Sequence, residues 1–364
     1  MDSKYNLSTD EKIQIFKHIV ESLDELFTYN PVFFDSGEPV WPYIRYRILA
    51  KIFQDIFNLS VPHFSINKSS YIVQLMKQMP QLWKYLTLMI FQRKQFPILF
   101  FTTAGGRVIF SHGKYFNKYS DYFVEMYKNI TAVVEASFRG RYYLPPHVEH
   151  FMIYDFLKIS YVIKGHLFSV HKRMNRVVKD TLDRLYRVFL IREFLQRISK
   201  WLSSVIESYN LYIPFALREF EKFLKKTKPN VVFVHCGSYG GMESTLIKVA
   251  KNIGSTVGEF QHGVITHMHP AYNYGTAIFG DKEYKLHLPD YLLVYGDYWK
   301  ENINFPNKII TVGNPHFWYN YNARKSKAGC EKKSKCDTHS VAREFDRTIC
   351  KNCERTIEKA WKGL

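Results

Sequence analysis

The chain has 364 residues, of which 46% are hydrophobic, 17% aromatic and 23% charged. This composition excludes a largely disordered chain, and the length suits two domains or one large domain with an appendage. The formal net charge is +18, from 51 Lys and Arg against 33 Asp and Glu, which favours an anionic partner: a membrane surface, a phosphorylated substrate or a nucleic acid.

The N-terminus does not resemble a secretory signal. The first ten residues are polar, and no apolar segment precedes a cleavage site. The longest apolar run, residues 85–91, is far shorter than the ~20 residues that a membrane-spanning helix needs. We therefore expect a cytoplasmic protein. If it associates with a membrane, we expect peripheral binding to the inner face of the cell membrane.

Helices dominate the first part of the chain. Residues 11–29 place apolar side chains at intervals of three and four, and Ser8 with Glu11 fits the start of a capped helix. A loop rich in proline and tryptophan then precedes a second predicted helix at 43–57. We assign residues 1–96 to a helical N-terminal region.

A third helical segment, residues 71–95, is predicted to be broken or kinked near Pro80. It mixes aromatic, aliphatic and basic side chains. Such a face suits packing against the protein core or lying flat on an anionic bilayer, and packing is the commoner outcome.

A sheet domain is predicted from residue 97 to residue 322. Residues 97–103 form a buried strand that runs into the small residues 104–106, which suits a loop facing a ligand at the carboxyl edge of a parallel sheet. A polar, aromatic segment follows at 110–130. Residues 150–227 are rich in helical pattern and form a predicted helical insertion.

Strands and helices alternate regularly beyond residue 230. This alternation implies βαβ units, right-handed crossovers and an α/β fold with a parallel sheet. The predicted strands are 231–236, 255–263, 291–296 and 307–315, and the predicted helices are 242–254 and 297–304.

A glycine-rich turn separates the strand at 231–236 from the next helix. Backbone amides at a helix start can bind a phosphate or carboxylate, and glycine lets a ligand approach closely. Ser238, Gly240 and Gly241 are therefore candidate substrate-binding residues. The turn matches neither the Walker A pattern nor the dinucleotide-binding glycine spacing, so ordinary turn glycines are the alternative.

The motif Gln261-His262-Gly263 closes the predicted strand at 255–263. A histidine there lies where open parallel sheets bind ligands, and imidazole titrates near neutrality. It can therefore take a proton from an attacking hydroxyl. We predict His262 as the catalytic base, with Gln261 and Gly263 in substrate binding.

Two more histidines follow on the same loop. His267 and His269 are two positions apart, which places both on one face of an extended chain. Two imidazoles could begin a metal site, but no third ligand is evident nearby. We interpret both as substrate-binding residues and predict no metal in the body of the chain.

The segment VFVHCGSYGGMESTLIKVAKNIGSTVGEFQHGVITHMHPAYNYG, together with LPDYLLVYGDYWKENI and KIITVGNPHF, carries a family resemblance. It resembles the N-terminal half of bacterial capsule and lipopolysaccharide glycosyltransferases of the GT-B type. It is more distantly similar to CDP-glycerol glycerophosphotransferases. Gln261-His262-Gly263 matches the strand-end motif, His269-Pro270 resembles a His-Pro pair, and Gly313-Asn314-Pro315 matches the strand end before the interdomain linker.

The resemblance implies two Rossmann-like domains that face each other across a cleft. The first would hold a lipid-linked glycan acceptor and the second a nucleotide-activated sugar as donor, with no dissociable cofactor. Only 49 residues follow Pro315, too few for a donor domain, which typically needs over ~100 residues. The expectation is a transferase of surface-polysaccharide synthesis that lacks its donor half. The alternative is a non-catalytic remnant or an acceptor-binding subunit.

The last segment, residues 323–364, is basic and contains four of the five cysteines, in the order Cys330, Cys336, Cys350 and Cys353. Four thiolates could hold a structural zinc ion, although the first pair is widely spaced. The alternative is an irregular, poorly structured tail. A third functional class, nucleic-acid binding through this tail, is disfavoured because no known module is present. The sequence does not indicate an oligomeric state.

Overall fold

The computed structural model describes residues 7–59, 68–91, 94–109, 113–168 and 174–330. The helices are α1 (Thr9–Tyr29), α2 (Trp41–Ile56), α3 (Lys68–Phe91), α4 (Asp121–Met126), α5 (Tyr154–Phe168), α6 (Met174–Leu185), α7 (Arg192–Thr227), α8 (Met242–Asn252), α9 (Thr276–Gly280), α10 (Lys282–Leu286), α11 (Asp297–Glu301) and α12 (Pro315–Cys330). The strands are β1 (Ile98–Thr103), β2 (Arg107–Ile109), β3 (Tyr115–Asn117), β4 (Thr131–Ala136), β5 (Phe151–Ile153), β6 (Val231–Val234), β7 (Thr256–Phe260), β8 (Tyr291–Val294) and β9 (Lys308–Thr311).

Seven of these strands form one sheet in the order β5-β4-β1-β6-β7-β8-β9, and all its pairings are parallel. Strands β2 and β3 form a separate antiparallel hairpin. The chain builds outward from β1 through β4 to β5, and then returns to the other side of β1 with β6. The predicted α/β fold with a Rossmann-like parallel sheet is confirmed, with a topological switch point between β1 and β6.

Five predicted strands are present as β1, β6, β7, β8 and β9, each within a few residues of the predicted bounds. Strands β4 and β5 were not predicted. Strand β5 has only three residues and leads directly into α5, so its pattern merges with that of the helix. Strand β4 carries Glu135 within a buried run, which weakens the apolar signal of a central strand.

Helices cover both faces of the sheet around β1. One face packs against α5, α8 and the second half of α7, with Leu99, Phe101 and Val232 among its buried side chains. The opposite face packs against α3 and α4, with Phe100 and Val133 in its core. The strands are hydrophobic on both faces, as expected for a parallel sheet between helical layers.

The N-terminal helices share a core with the sheet domain. Helices α1, α2 and α6 pack against the first half of α7, the chain segment 265–288 and strand β8. The predicted capping box of α1 is present: the Glu11 amide donates to Ser8 Oγ, and the Ser8 amide donates to Glu11 Oε2. These helices therefore form part of the wall that surrounds the sheet.

Helix α3 continues through Pro80, so of the two predicted alternatives, a break or a kink, the chain has no break there. Its side chains Leu75, Leu82 and Leu86 are buried against the sheet, as the packing interpretation requires. Within the described ranges, no helix is both long and apolar enough to cross a bilayer.

The predicted irregular tail from residue 323 is wrong over its first residues, because α12 continues to Cys330. The predicted boundary at 322/323 falls inside this helix. The proposed zinc ligands Cys336, Cys350 and Cys353 lie outside the described residues, and of Cys330 only the backbone is described.

Candidate active site at the carboxyl edge of the sheet

Two histidines meet where β6 and β7 end. The parallel register pairs Val234 with Glu259, so His235 and His262 follow adjacent strand ends. Their ring centroids are 4.7 Å apart. Tyr119, from the turn after β3, lies 5.1 Å from the His235 ring and 6.5 Å from the His262 ring. The cluster therefore lies beside the switch point between β1 and β6, where parallel sheets bind ligands.

Cys236 follows His235 in a left-handed backbone conformation, with φ 58° and ψ 31°. A residue other than glycine seldom adopts this conformation, and the cost is tolerated where neighbouring structure enforces it. Its Sγ lies 3.1 Å from His235 Nδ1 and 3.5 Å from His262 Nε2. Burial raises the pKa of the Cys236 thiol. The turn thus holds a protonated thiol between two imidazoles.

A hydrogen-bond chain through Tyr239 accommodates a His262 tautomer with an unprotonated Nε2. The Ala271 amide can only donate, so His269 Nδ1 accepts from it at 3.3 Å, and a neutral His269 carries its proton on Nε2. That nitrogen is 3.2 Å from the Tyr239 hydroxyl and donates to it. The hydroxyl can then donate to His262 Nε2, which is 3.3 Å away. In this arrangement the Nε2 of His262 carries a lone pair.

In this tautomer the ring proton of His262 is on Nδ1. The ring also forms a hydrogen bond with the backbone of Phe260, and Nδ1 is the nitrogen that can donate it. Burial lowers the pKa of His262, although this backbone contact opposes the shift. Burial, helped by the neighbouring His262, also lowers the pKa of His269 to about 4 and that of His235 to about 3. All three rings are neutral near pH 7.

Helix α2 supplies an aromatic wall to the cluster. The Tyr46 ring stacks on Tyr239 at 4.2 Å and lies parallel to His269 at 6.3 Å. Tyr272 packs edge-on against Tyr239. These rings hold His269 and Tyr239 in place and reduce the access of water to the hydrogen-bond chain.

Glu259 supports the cluster from inside β7 and is fully buried. Its carboxylate accepts hydrogen bonds from the Ser238 amide at 2.8 Å, the Ser238 hydroxyl at 2.5 Å and the Tyr272 hydroxyl at 2.7 Å. Burial raises the pKa of Glu259 to about 7, although these hydrogen bonds oppose the shift. Glu259 thereby joins the glycine turn to the loop that carries His269.

Because the folded-state pKa of Glu259 is raised from 4.5 to about 7, the folded protein holds a proton that the unfolded chain releases between these pH values. The free energy of unfolding should therefore fall as the pH rises, and Glu259 should account for about 2 kcal/mol of that fall between pH 5.5 and 7.5. Urea unfolding of wild type and Glu259→Gln over this range should show the difference between them changing by that amount. If the free energies of unfolding of the two proteins change in parallel with pH, Glu259 does not titrate in this range. Contributions from the histidines cancel because both proteins contain them.

The glycine turn does not present the predicted phosphate-binding amides. The Ser238 amide donates to Glu259, and the Gly241 amide donates to the Tyr43 carbonyl. The Tyr239 and Gly240 amides donate within the turn. A Cβ at Gly240 would lie 2.3 Å from the Pro42 carbonyl oxygen. The glycines here serve the close packing of α2, and Ser238 supports Glu259.

The structure separates the other predicted binding residues. The Gln261 side chain is buried, donates to the Gly263 carbonyl and accepts from the Tyr295 amide, so it shapes the turn after β7. Gly263 and His267 are exposed. Of the predicted set, His262 and His269 share the cluster, and both contact Tyr239.

Several members of the cluster were not predicted: His235, Cys236, Tyr239, Tyr119 and Tyr46. The first two carried a usable signal, because they follow a predicted strand whose carboxyl end had to lie at the same edge as that of β7. Tyr119 and Tyr46 come from distant segments, and no local pattern indicated their position.

Comparison of the chain with protein-family models, with curated proteins and with solved structures found no match.

Proposed function

We propose that the chain provides the acceptor-side half of a glycosyltransferase, or of a related polyol-phosphate transferase, in bacterial surface-polysaccharide synthesis. The observation that carries this proposal is the imidazole of His262, neutral and with a lone pair on Nε2, at the carboxyl edge of a parallel sheet. A group of this kind and in this place can take a proton from an acceptor hydroxyl.

In the proposed reaction, His262 Nε2 takes the proton of the acceptor hydroxyl as its oxygen bonds to the anomeric carbon of the donor sugar. The bond from that carbon to the diphosphate oxygen breaks, and the nucleotide leaves with the electron pair. The donor is a nucleotide-activated sugar held by a facing GT-B-type domain. His269 orients the Tyr239 hydroxyl, which holds the His262 lone pair until the substrate arrives.

Charge and surface chemistry support a lipid-linked acceptor at the cytoplasmic face of the membrane. The net charge of +18 favours the pyrophosphate of such an acceptor and anionic lipid headgroups. Helix α3 exposes Trp83 and Met76 beside Lys77 and Lys84, a combination that suits an interfacial helix. The proposed location is therefore peripheral, on the inner membrane surface.

A transfer assay tests this proposal. The purified chain is incubated with bacterial membranes, which supply both lipid-linked acceptors and partner proteins that could hold the donor, and with labelled UDP-sugars, GDP-sugars and CDP-glycerol in turn. Membranes without the chain are the control. We expect one class of donor to yield label in the lipid fraction. Binding of the acceptor lipid without transfer from any donor would instead identify an acceptor-binding subunit. If the chain shows no transfer and does not bind the acceptor lipid, the proposal is overturned.

A further inference from the structure

A cluster of metal-binding side chains coincides with this site. Within the part of the chain that the structure describes, two groups of three potential ligands have donor atoms within 4.8 Å of one another. One comprises Glu38, Glu283 and His287, but the Lys248 ammonium lies 2.9 Å and 2.6 Å from its two carboxylates and already neutralises them. The other comprises His235, Cys236 and His262, and it contains no carboxylate for a cationic side chain to neutralise.

The spacing in the second group suits a tetrahedral ion. With Zn–S near 2.3 Å and Zn–N near 2.05 Å, tetrahedral angles place nitrogen and sulfur about 3.5 Å apart. The distance from Cys236 Sγ to His262 Nε2 is 3.5 Å, and that to His235 Nδ1 is 3.1 Å. Two imidazoles and a thiol select Zn²⁺ or a similar soft ion over Mg²⁺ or Ca²⁺, which prefer oxygen ligands.

The surroundings also suit a bound ion. His262 presents its Nε2 lone pair to the cluster, while the opposite side of the ring hydrogen-bonds with the Phe260 backbone, as metal-ligating histidines commonly do. The left-handed conformation of Cys236 places its sulfur between the two rings. Three protein donors leave a fourth position for water or a substrate oxygen.

We propose that a divalent cation of the zinc class binds between His235, Cys236 and His262, and that its binding blocks His262 as a base. The Cys236 thiol gives up its proton to solvent on binding, and no oxidation or reduction is involved. The ion occupies the Nε2 lone pair, so an occupied site cannot accept the proton of an acceptor hydroxyl. The binding stands on the geometry alone, whereas the block rests on the proposed function.

The binding is tested in a full-length variant with the four tail cysteines, Cys330, Cys336, Cys350 and Cys353, changed to Ser, so that Cys236 is the only thiol of the five. Titration with Co²⁺ should produce a thiolate-to-cobalt absorption band that saturates at one equivalent and disappears on addition of Zn²⁺. Cys236→Ser should remove the band. His235→Ala removes a direct ligand and should weaken Co²⁺ binding by at least about tenfold, the smallest usual cost of losing even an outer-shell partner. His18→Ala, on the exposed face of α1, is the matched control and should leave binding unchanged.

Absence of the band in the tail variant, with native circular dichroism, would overturn the site. The transfer assay tests the block. Zn²⁺ should reduce transfer in proportion to the occupancy of the site, and a chelator should restore it. In His235→Ala, the Zn²⁺ concentration that gives half-inhibition should rise by the same factor by which the variant weakens Co²⁺ binding. Full transfer with the site occupied would overturn the block. If metal-free protein shows no transfer with any donor, the proposed function and the block both fail, while the cobalt band still reports the site.

Discussion

Replacing His262 with alanine should lower the rate of transfer by about 10²–10⁴-fold, the usual contribution of general base catalysis. The neighbouring imidazoles already have partners at the nitrogens that face the cluster. The His269 nitrogen that faces the site carries a proton and donates to Tyr239, and the His235 Nδ1 lies against Cys236. Initial rates at saturating donor and acceptor would measure the loss, with urea unfolding to confirm that the variant is folded.

Two comparisons distinguish a base from a merely structural residue. His18→Ala removes an exposed imidazole from α1 and should leave the rate unchanged. Added imidazole can occupy the space left in His262→Ala and should restore part of the lost rate, with a dependence on the free-base form of imidazole. Turnover of His262→Ala within twofold of wild type would place the base elsewhere.

The position of His262 could be predicted because the evidence for it is local. His262 lies near the end of the predicted strand at 255–263, and the carboxyl end of a parallel strand is the edge at which ligands bind. The partners of His262 are not local. Tyr46 reaches the site through the docking of α2, more than 190 residues before Tyr239 in the chain. Helical periodicity indicated that α2 buries one face, but not what that face contacts.

The glycine turn shows that predicting an element does not by itself predict the role of its residues. The prediction of a tight turn between β6 and α8 is confirmed by Gly240 and Gly241, which have φ values of 73° and 69°. Phosphate binding and backbone packing both require glycine at such positions. What decides between them is the Pro42 carbonyl against Gly240 and the Tyr43 carbonyl that accepts from the Gly241 amide, and both come from a distant helix.

Arg45, which forms a buried ion pair, joins that helix both to α1 and to the loop that carries His269. Arg45 of α2 donates from Nε and Nη2 to the Asp24 carboxylate of α1, at 2.7 and 2.8 Å, and both side chains are almost fully buried. Arg45 also donates to the carbonyls of Pro270 and Asn273 and lies over the Tyr274 ring at 4.0 Å. The position of the loop therefore depends on Arg45.

Arg45→Met should lower the free energy of unfolding by about 3–5 kcal/mol, the cost of leaving a buried charge without its partner. Among the described residues, Asp24 would retain the Trp41 indole and the Gly275 amide as donors, and two loop carbonyls would lose the hydrogen bonds from Arg45. Arg197→Met removes an exposed partner of Asp55 and should cost less than about 1 kcal/mol, which makes it the matched control. Urea unfolding measures both, and equal losses would contradict the role of Arg45.

Because the loop also positions His269, the folded fraction of Arg45→Met should transfer more slowly than wild type, whereas that of Arg197→Met should not.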